Sequence, residues 1–256
     1  MAPRGLKKIL KDTAPCKLVG SGTKKHFEIK PGTTGRGIRL KGLTKRLHTR
    51  IYSDGQLPSI AKASAPPAGG HWRGPDGGRR RGSAVDAQVS RLAGVTTEKR
   101  QSSKMLNLTK LIFSALSVRG LDPVMGQRAV CSQRHRLGTA ADVVCYDATN
   151  NAIVIVELKC GHSGARTATA VQSGQACNMK APLAKAPDNT VNRHLAQLAV
   201  THHLFTREAQ TMKKINNMGI EDINGILMYA NDASVDVYNL EQWWVDKAPR
   251  ILEKLG

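Results

Sequence analysis

Residues 138–161, GTAADVVCYDATNNAIVIVELKCG, decide the fold of this chain. Ala140–Tyr146 is rich in β-forming residues, and Ala152–Leu158 is a nearly unbroken apolar run. Between them Asp147-Ala148-Thr149-Asn150-Asn151 supplies turn residues, so the stretch reads as a β-hairpin. An apolar run of this kind reads as a buried central strand. It nevertheless ends in Glu157-Leu158-Lys159. Residues two apart on a strand point to one face, so this acid and this base are neighbours. A turn about Thr149-Asn150 sets Asp142 opposite Glu157. A turn about Asn150-Asn151 sets Asp142 opposite Lys159 and diagonal to Glu157. In both registers the three charges share one face. Two carboxylates held together at the edge of an apolar sheet repel, and the pair needs a cation.

The chain has 256 residues, enough for one core with appendages. Its formal charge of +20 is unevenly spread: residues 1–85 hold 19 Lys/Arg against 4 Asp/Glu. A polyanion is the natural partner, nucleic acid above all. A membrane surface fits less well, because no long amphipathic stretch with large apolar residues accompanies the basic ones. No run approaches the ~20 apolar residues of a membrane span, and no apolar stretch of the secretory type follows the first basic residues. The five cysteines form no C-x-x-C pair and read as free thiols of a reducing compartment. The expected location is intracellular and not secreted: nucleus or cytoplasm, with the mitochondrion as the alternative.

Residues 1–81 contain PGTTGRG, SAPPAGG and RGPDGGRRRG, compositions that do not build a core. They are expected to form a basic, flexible arm, with the folded domain over 82–256; the alternative is a folded subdomain with a helical turn or two at Lys7–Lys11 and short strands at Phe27, Ile29 and Ile38. Val85, Val89 and Leu92 recur at helical spacing behind Ser83, a good N-cap. A second helix is expected over Ser102–Val118 and a strand over Gln127–Ser132, followed by the hairpin. Residues 161–190 read as a loop and Asn192–Glu208 as a helix. Ile223–Ala230 and Val235–Leu240 read as strands, and Leu240–Leu255 as a closing helix. This order describes a mixed sheet flanked by helices, α/β or α+β.

Asp142 and Glu157 are hard oxygen ligands of the kind that hold Mg2+ while leaving waters on the ion. The main-chain carbonyl of Leu158, between the two side chains of its strand, is a further ligand. An ion there lowers the pKa of a bound water and neutralises charge building on a phosphate. Lys159, on the same face, orients or deprotonates the attacking water or stabilises the charge at phosphorus. The competing reading is a plain salt bridge from Lys159 to Glu157 or Asp142.

Asp142, a gap of fourteen residues and then Glu157-Leu158-Lys159, on paired strands after helices, resembles the PD-(D/E)XK nuclease superfamily. The run IVIVELKCG is similar to the form in its RecB-like and lambda-exonuclease-like branch. The resemblance covers about residues 82–240. It implies a restriction-endonuclease-like core, a Mg2+ cofactor for which Mn2+ substitutes, and hydrolysis of DNA phosphodiester bonds by an exo- or endonuclease. The branch serves repair, recombination and replication, in large DNA viruses and phages among others. Its first core helix opens with Gly followed four residues later by a metal-binding His. Here Gly82 is followed by Asp86, either a further ligand or, three residues after Ser83, a capping-box acid. A later helix of the branch carries Gln with Tyr four residues on. Here Gln197 is followed by Thr201, and Gln197 is expected to position substrate or site. The four iron–sulfur cysteines of some relatives are missing. Glu98 is a spare third carboxylate, and His135, His162 and Arg166 are candidates for phosphate contacts. Two other classes stay open: a non-enzymatic nucleic-acid-binding or packaging protein on a nuclease-like scaffold, and a nuclease acting on RNA.

Overall fold

Asp147 sets the register of the central hairpin. Its carboxylate accepts from the backbone N–H groups of Thr149 and Asn150 at 2.9 and 3.1 Å, and from Asn150 Nδ2 at 2.7 Å. An Asp bonded to its own following backbone closes a tight turn. Asn151 takes a left-handed φ of 50°, a conformation Asn tolerates. The strands then pair from Asp147↔Ala152 to Val143↔Val156, the register centred on Thr149-Asn150. Asp142 and Glu157 come next, just past the last pair.

The computed structural model describes residues 1–20, 26–29, 37–53, 77–101, 103–160, 177–231 and 234–256. The first half holds α1 (Leu6–Asp12), β1 (Cys16–Val19), β2 (His26–Ile29), β3 (Ile38–Gly42), α2 (Leu43–Arg50), α3 (Gly77–Leu92), α4 (Thr97–Gln101), α5 (Asn107–Val118) and β4 (Leu121–Ser132). The second holds β5 (Leu137–Asp147), β6 (Ala152–Cys160), α6 (Thr190–Thr206), α7 (Ala209–Asn216), β7 (Asp222–Ala230), β8 (Val235–Asn239) and α8 (Gln242–Leu255).

The described strands form one open, mixed, eight-stranded sheet in the order β1-β2-β3-β5-β6-β7-β8, with β4 paired to β5. β4 covers one whole edge of β5, from Leu121↔Asp147 to Ser132↔Leu137. A strand has only two edges, so β3 and β6 share the other. β6 holds it down to Val143, and β3 joins in parallel only at Lys41↔Leu137 and Gly42↔Gly138. Between them lies a fork, with Thr139–Asp142 along its floor. β6 runs on past the fork, paired with β7 as far as Cys160↔Ala230.

β6 is apolar on both sides because both faces of the sheet are covered. Ile153 and Ile155 enter the larger core with α1, α2, α6, α7 and α8. Val154, Val156 and Leu158 enter a second core with α3 and α5. The expected α/β architecture, a mixed sheet flanked by helices, is present.

The N-terminal region departs from expectation. Its described residues are not a flexible arm: they supply three strands of the sheet and two helices packed on it. Leu6, Leu10, Leu43 and Leu47 are at most 1% exposed. The Ala2 N–H donates to Asp122 Oδ2 at 2.9 Å, and the Thr211 and Thr13 hydroxyls are hydrogen-bonded to each other at 2.7 Å. The Tyr52 hydroxyl donates to the Arg193 carbonyl at 2.7 Å. Apolar residues are few in this region, but Leu6/Leu10 and Leu43/Leu47 stand four apart, enough to give each short helix one buried face. Average composition hides that spacing. Residues 21–25, 30–36 and 54–76 of the expected arm lie outside the described residues.

Helix boundaries differ from expectation as well. α3 starts at Gly77, so Ser83 is inside the helix and not its cap. The helix expected over Ser102–Val118 begins only at Asn107, after the separate turn of α4. Gln88 of α3 fixes that start, its Oε1 accepting from Leu106 N–H and Thr109 Oγ1, each at 2.9 Å. A cap supplied by another helix has no local sequence signal. α7 has no counterpart in the sequence reading.

Leu47→Ala is expected to lower stability by about 2–5 kcal/mol in urea unfolding, as for a core leucine. A change within about 0.5 kcal/mol, typical of an exposed position, would mean that α2 is not part of the core.

Candidate active site

The fork brings Asp142, Glu157, Leu158 and Lys159 together. Where β6 loses β5 as a partner, Asp142 Oδ2 accepts from the Leu158 backbone N–H at 2.8 Å. The N–H and C=O of one strand residue face the same neighbour, so the Leu158 carbonyl faces the fork too. Gln197, on α6 above the sheet, donates through Nε2 to Glu157 Oε1 at 2.7 Å. Lys159 Nζ donates to the same oxygen in an ion pair. The other oxygen, Glu157 Oε2, is buried with no hydrogen-bond partner among the described residues, in a side chain 1% exposed.

Asp86 joins through a residue that sequence reasoning missed. Gln127 Nε2 donates to Asp86 Oδ1 at 2.9 Å and to Asp142 Oδ1 at 3.1 Å. Gln127 adopts a left-handed φ of 50° inside β4, a conformation costly outside glycine and concentrated at functional sites. Beside it, a Cβ on Gly126 would stand 2.4 Å from Ser90 Cα. Glycine there lets β4 rest directly against α3, one helical turn beyond Asp86. A glycine within a strand is the local sign of such an approach, and Gly126-Gln127 is the available clue. Because α3 begins at Gly77, Asp86 is not in a first helical turn and the capping-box reading falls away. Thr201, at the position of the branch's Tyr, is fully buried and donates its hydroxyl to the Gln197 carbonyl at 2.9 Å.

Burial dominates the electrostatics. It raises the Glu157 carboxyl to about 8, with the charge of Asp142 adding to the effect. Burial also raises Asp142, against the pull of Lys159 and of the hydrogen bonds from Leu158 and Gln127. Burial disfavours the Lys159 ammonium, but the charges of Glu157 and Asp142 outweigh it and lift Lys159 above its ordinary value. Those two charges favour the protonated form of Lys159. Two buried acids against one lysine leave excess negative charge, which a retained proton or a bound cation offsets.

The donor set fits a divalent ion of the Mg2+ type. Asp142, Glu157 and the Leu158 carbonyl offer hard oxygens, and the unpartnered Oε2 is the acceptor such an ion uses. No three His, Cys, Asp or Glu side chains among the described residues form a group that could hold a metal. An ion in the fork would have two carboxylates, a carbonyl and water as ligands, a set common for Mg2+. Asp86 enters through Gln127.

Other candidates stand apart. Glu98 is exposed on α4. His135 lines a separate cleft of about 450 Å3 with Cys131, His203, Arg207 and Glu208. His162 and Arg166 lie outside the described residues. All five cysteines are free thiols. No helix among the described residues is long and apolar enough to cross a membrane. No protein-family model matches the chain, and no curated protein matches its sequence.

The Glu157 carboxyl binds its proton more tightly in the fold, at about 8, than in the unfolded chain, near 4.5. Its stabilising contribution is therefore complete below the unfolded value and is lost as pH rises towards 8. In chelator, urea unfolding should show stability falling by on the order of a few kcal/mol across that window. Glu157→Gln should flatten the fall, and Mg2+ should restore stability at the alkaline end. Parallel profiles for wild type and variant would show that Glu157 does not carry the buried proton.

Proposed function

We propose that the chain is a metal-dependent nuclease of the PD-(D/E)XK type, with a restriction-endonuclease-like core, hydrolysing phosphodiester bonds of DNA. The observation that carries this reading is the buried, unpartnered Glu157 Oε2 beside Asp142 and Lys159 at the end of a core strand. Burying a carboxylate oxygen without a partner costs about 1–3 kcal/mol or more, and a purely structural ion pair has no use for that cost.

Asp142, Glu157 and the Leu158 carbonyl would hold Mg2+, for which Mn2+ would substitute. The ion supplies a water of lowered pKa and polarises a phosphate oxygen. Gln197 orients Glu157 by engaging Oε1 and leaves Oε2 free to serve as a ligand. Lys159 keeps its proton, hydrogen-bonds the attacking water or a phosphate oxygen, and offsets the charge that builds at phosphorus. Gln127 ties Asp86 to Asp142, so Asp86 positions the ligand set through that amide. The net charge of +20 favours a polyanionic substrate.

A second reading, a non-enzymatic nucleic-acid-binding protein, is favoured by the ion pair that Lys159 already makes with Glu157. Parallel digestion of matched single- and double-stranded DNA and RNA, in Mg2+ and in EDTA, separates the readings. DNA should be cut in Mg2+ and left intact in EDTA. Lys159→Ala and Asp142→Asn should each lower the rate about 10²–10³-fold or more, with the circular dichroism of the folded chain retained. Undiminished cleavage by Lys159→Ala would falsify the catalytic assignment. Tight binding without cleavage by the wild type would establish the binding protein, and cleavage of RNA alone would change the substrate.

A further inference from the structure

Residues Ile38–Arg50 carry Arg39, Lys41, Lys45, Arg46 and Arg50 and no acid. Lys41, Lys45 and Arg50 are exposed. Together with Arg46 they make no ion pair with any described residue. The Arg46 Nε is buried without a hydrogen-bond partner. A run of surface cations is most often a solvated face; here its placement says more.

β3 meets β5 on the other arm of the fork, at Gly42↔Gly138. Asp142 lies four residues further along β5, roughly 13 Å away. α2 follows β3 at once, seated by buried Leu43 and Leu47 and then by Ile51 and Tyr52. Its far end is locked to the start of α6. The Tyr52 hydroxyl donates to the Arg193 carbonyl at 2.7 Å, and the Arg193 guanidinium stands 4.7 Å over the Tyr52 ring. The Ser53 N–H donates to Asp188 Oδ2 at 2.6 Å, and Asp188 Oδ1 accepts from Arg193 Nε at 2.5 Å. Arg193 precedes Gln197 by one helical turn, and Gln197 touches Glu157. Buried contacts thus hold the basic segment at a fixed place beside the fork. Concentrating like charges on one docked segment is unfavourable by itself, and a polyanion laid along it reverses the sign.

We infer that the β3–α2 segment is a clamp for the backbone of duplex DNA, docked rigidly beside the candidate active site. The identity of the anion rests on the nuclease reading. α2 spans about 12 Å, over which a DNA duplex presents several charges at one per ~1.7 Å. The clamp holds phosphates and does not read bases, so it sets where the duplex crosses the fork.

The test is binding of a short DNA duplex across a salt series in EDTA, where cleavage plays no part. The full chain carrying Lys41→Gln, Lys45→Gln and Arg50→Gln, all at exposed positions, should keep the wild-type melting temperature. The slope of log K against log salt should flatten by about 2–3, since each phosphate that is no longer neutralised takes away about 0.9. Affinity near 0.1 M salt should fall about tenfold or more. The control, Lys213→Gln, Lys214→Gln and Lys254→Gln, removes the same charge from α7 and α8 and should move the slope by less than about 0.5. Equal effects of the two triple variants, or no effect of the first, would overturn the clamp. Binding through α2 by a protein that never cuts DNA would sink the nuclease reading and keep the clamp. Cleavage by a protein whose binding ignores the first triple variant would do the reverse.

Discussion

One edge of β5 has to serve two strands, and much of the molecule follows from that. β4 takes the whole of the opposite edge, so β3 and β6 divide what is left. Neither covers Thr139–Asp142. The backbone groups freed by the divergence need partners in a buried place, and the Asp142 carboxylate supplies one to Leu158. An acid at that position is therefore part of the sheet's own hydrogen bonding as well as a candidate ligand. The same divergence lets β6 carry Glu157 and Lys159 beyond β5 while β7 still supports it, so charged side chains stand on a strand that remains fully core below them.

The protein contains its own comparison for the fork. Arg128 and Glu208 form a buried ion pair at 2.6 Å, and there the acid is closed: both oxygens of Glu208 face Arg128, and Thr211 also donates to one of them at 2.7 Å. Asp188 is likewise filled by Arg193 and Ser53. In both arrangements each carboxylate oxygen has a donor, and the atom left over at the first is Arg128 Nε, on the cation. Glu157 differs, since Lys159 and Gln197 both use one oxygen and the other is left over. The difference lies in which lone pairs are filled, and it separates this ion pair from its two neighbours more sharply than burial or distance does.

The fork is legible in the sequence where local chemistry dictates it. Asp147 and the Asn residues announce the turn, the apolar run announces the central strand, and period-two alternation puts Asp142, Glu157 and Lys159 on one face whichever register holds. Gln197 stands out through a family pattern alone. Gln127 does not stand out, because its role depends on a left-handed backbone at one residue and on how close α3 comes to β4 at Gly126. The N-terminal region misleads for a related reason. Its glycines and charges describe its average, while two pairs of leucines four apart decide where it goes. The start of α5 is set by Gln88 from another helix, a contact no window of sequence contains.

The tethers of the N-terminal region also fix the order in which the protein can be assembled. The Tyr52 hydroxyl bonds to a carbonyl 141 residues later, the Ala2 N–H to a carboxylate 120 residues later, and Thr13 to Thr211 across 198. On a ribosome adding about 5–20 residues per second, the partner of Tyr52 emerges on the order of ten seconds after it. β5 ends at Asp147, well before Arg193, and until it is made β3 has no strand of the central sheet to join. The segment made first thus waits for partners made much later, and its docking is tied to the closing of the sheet around β5.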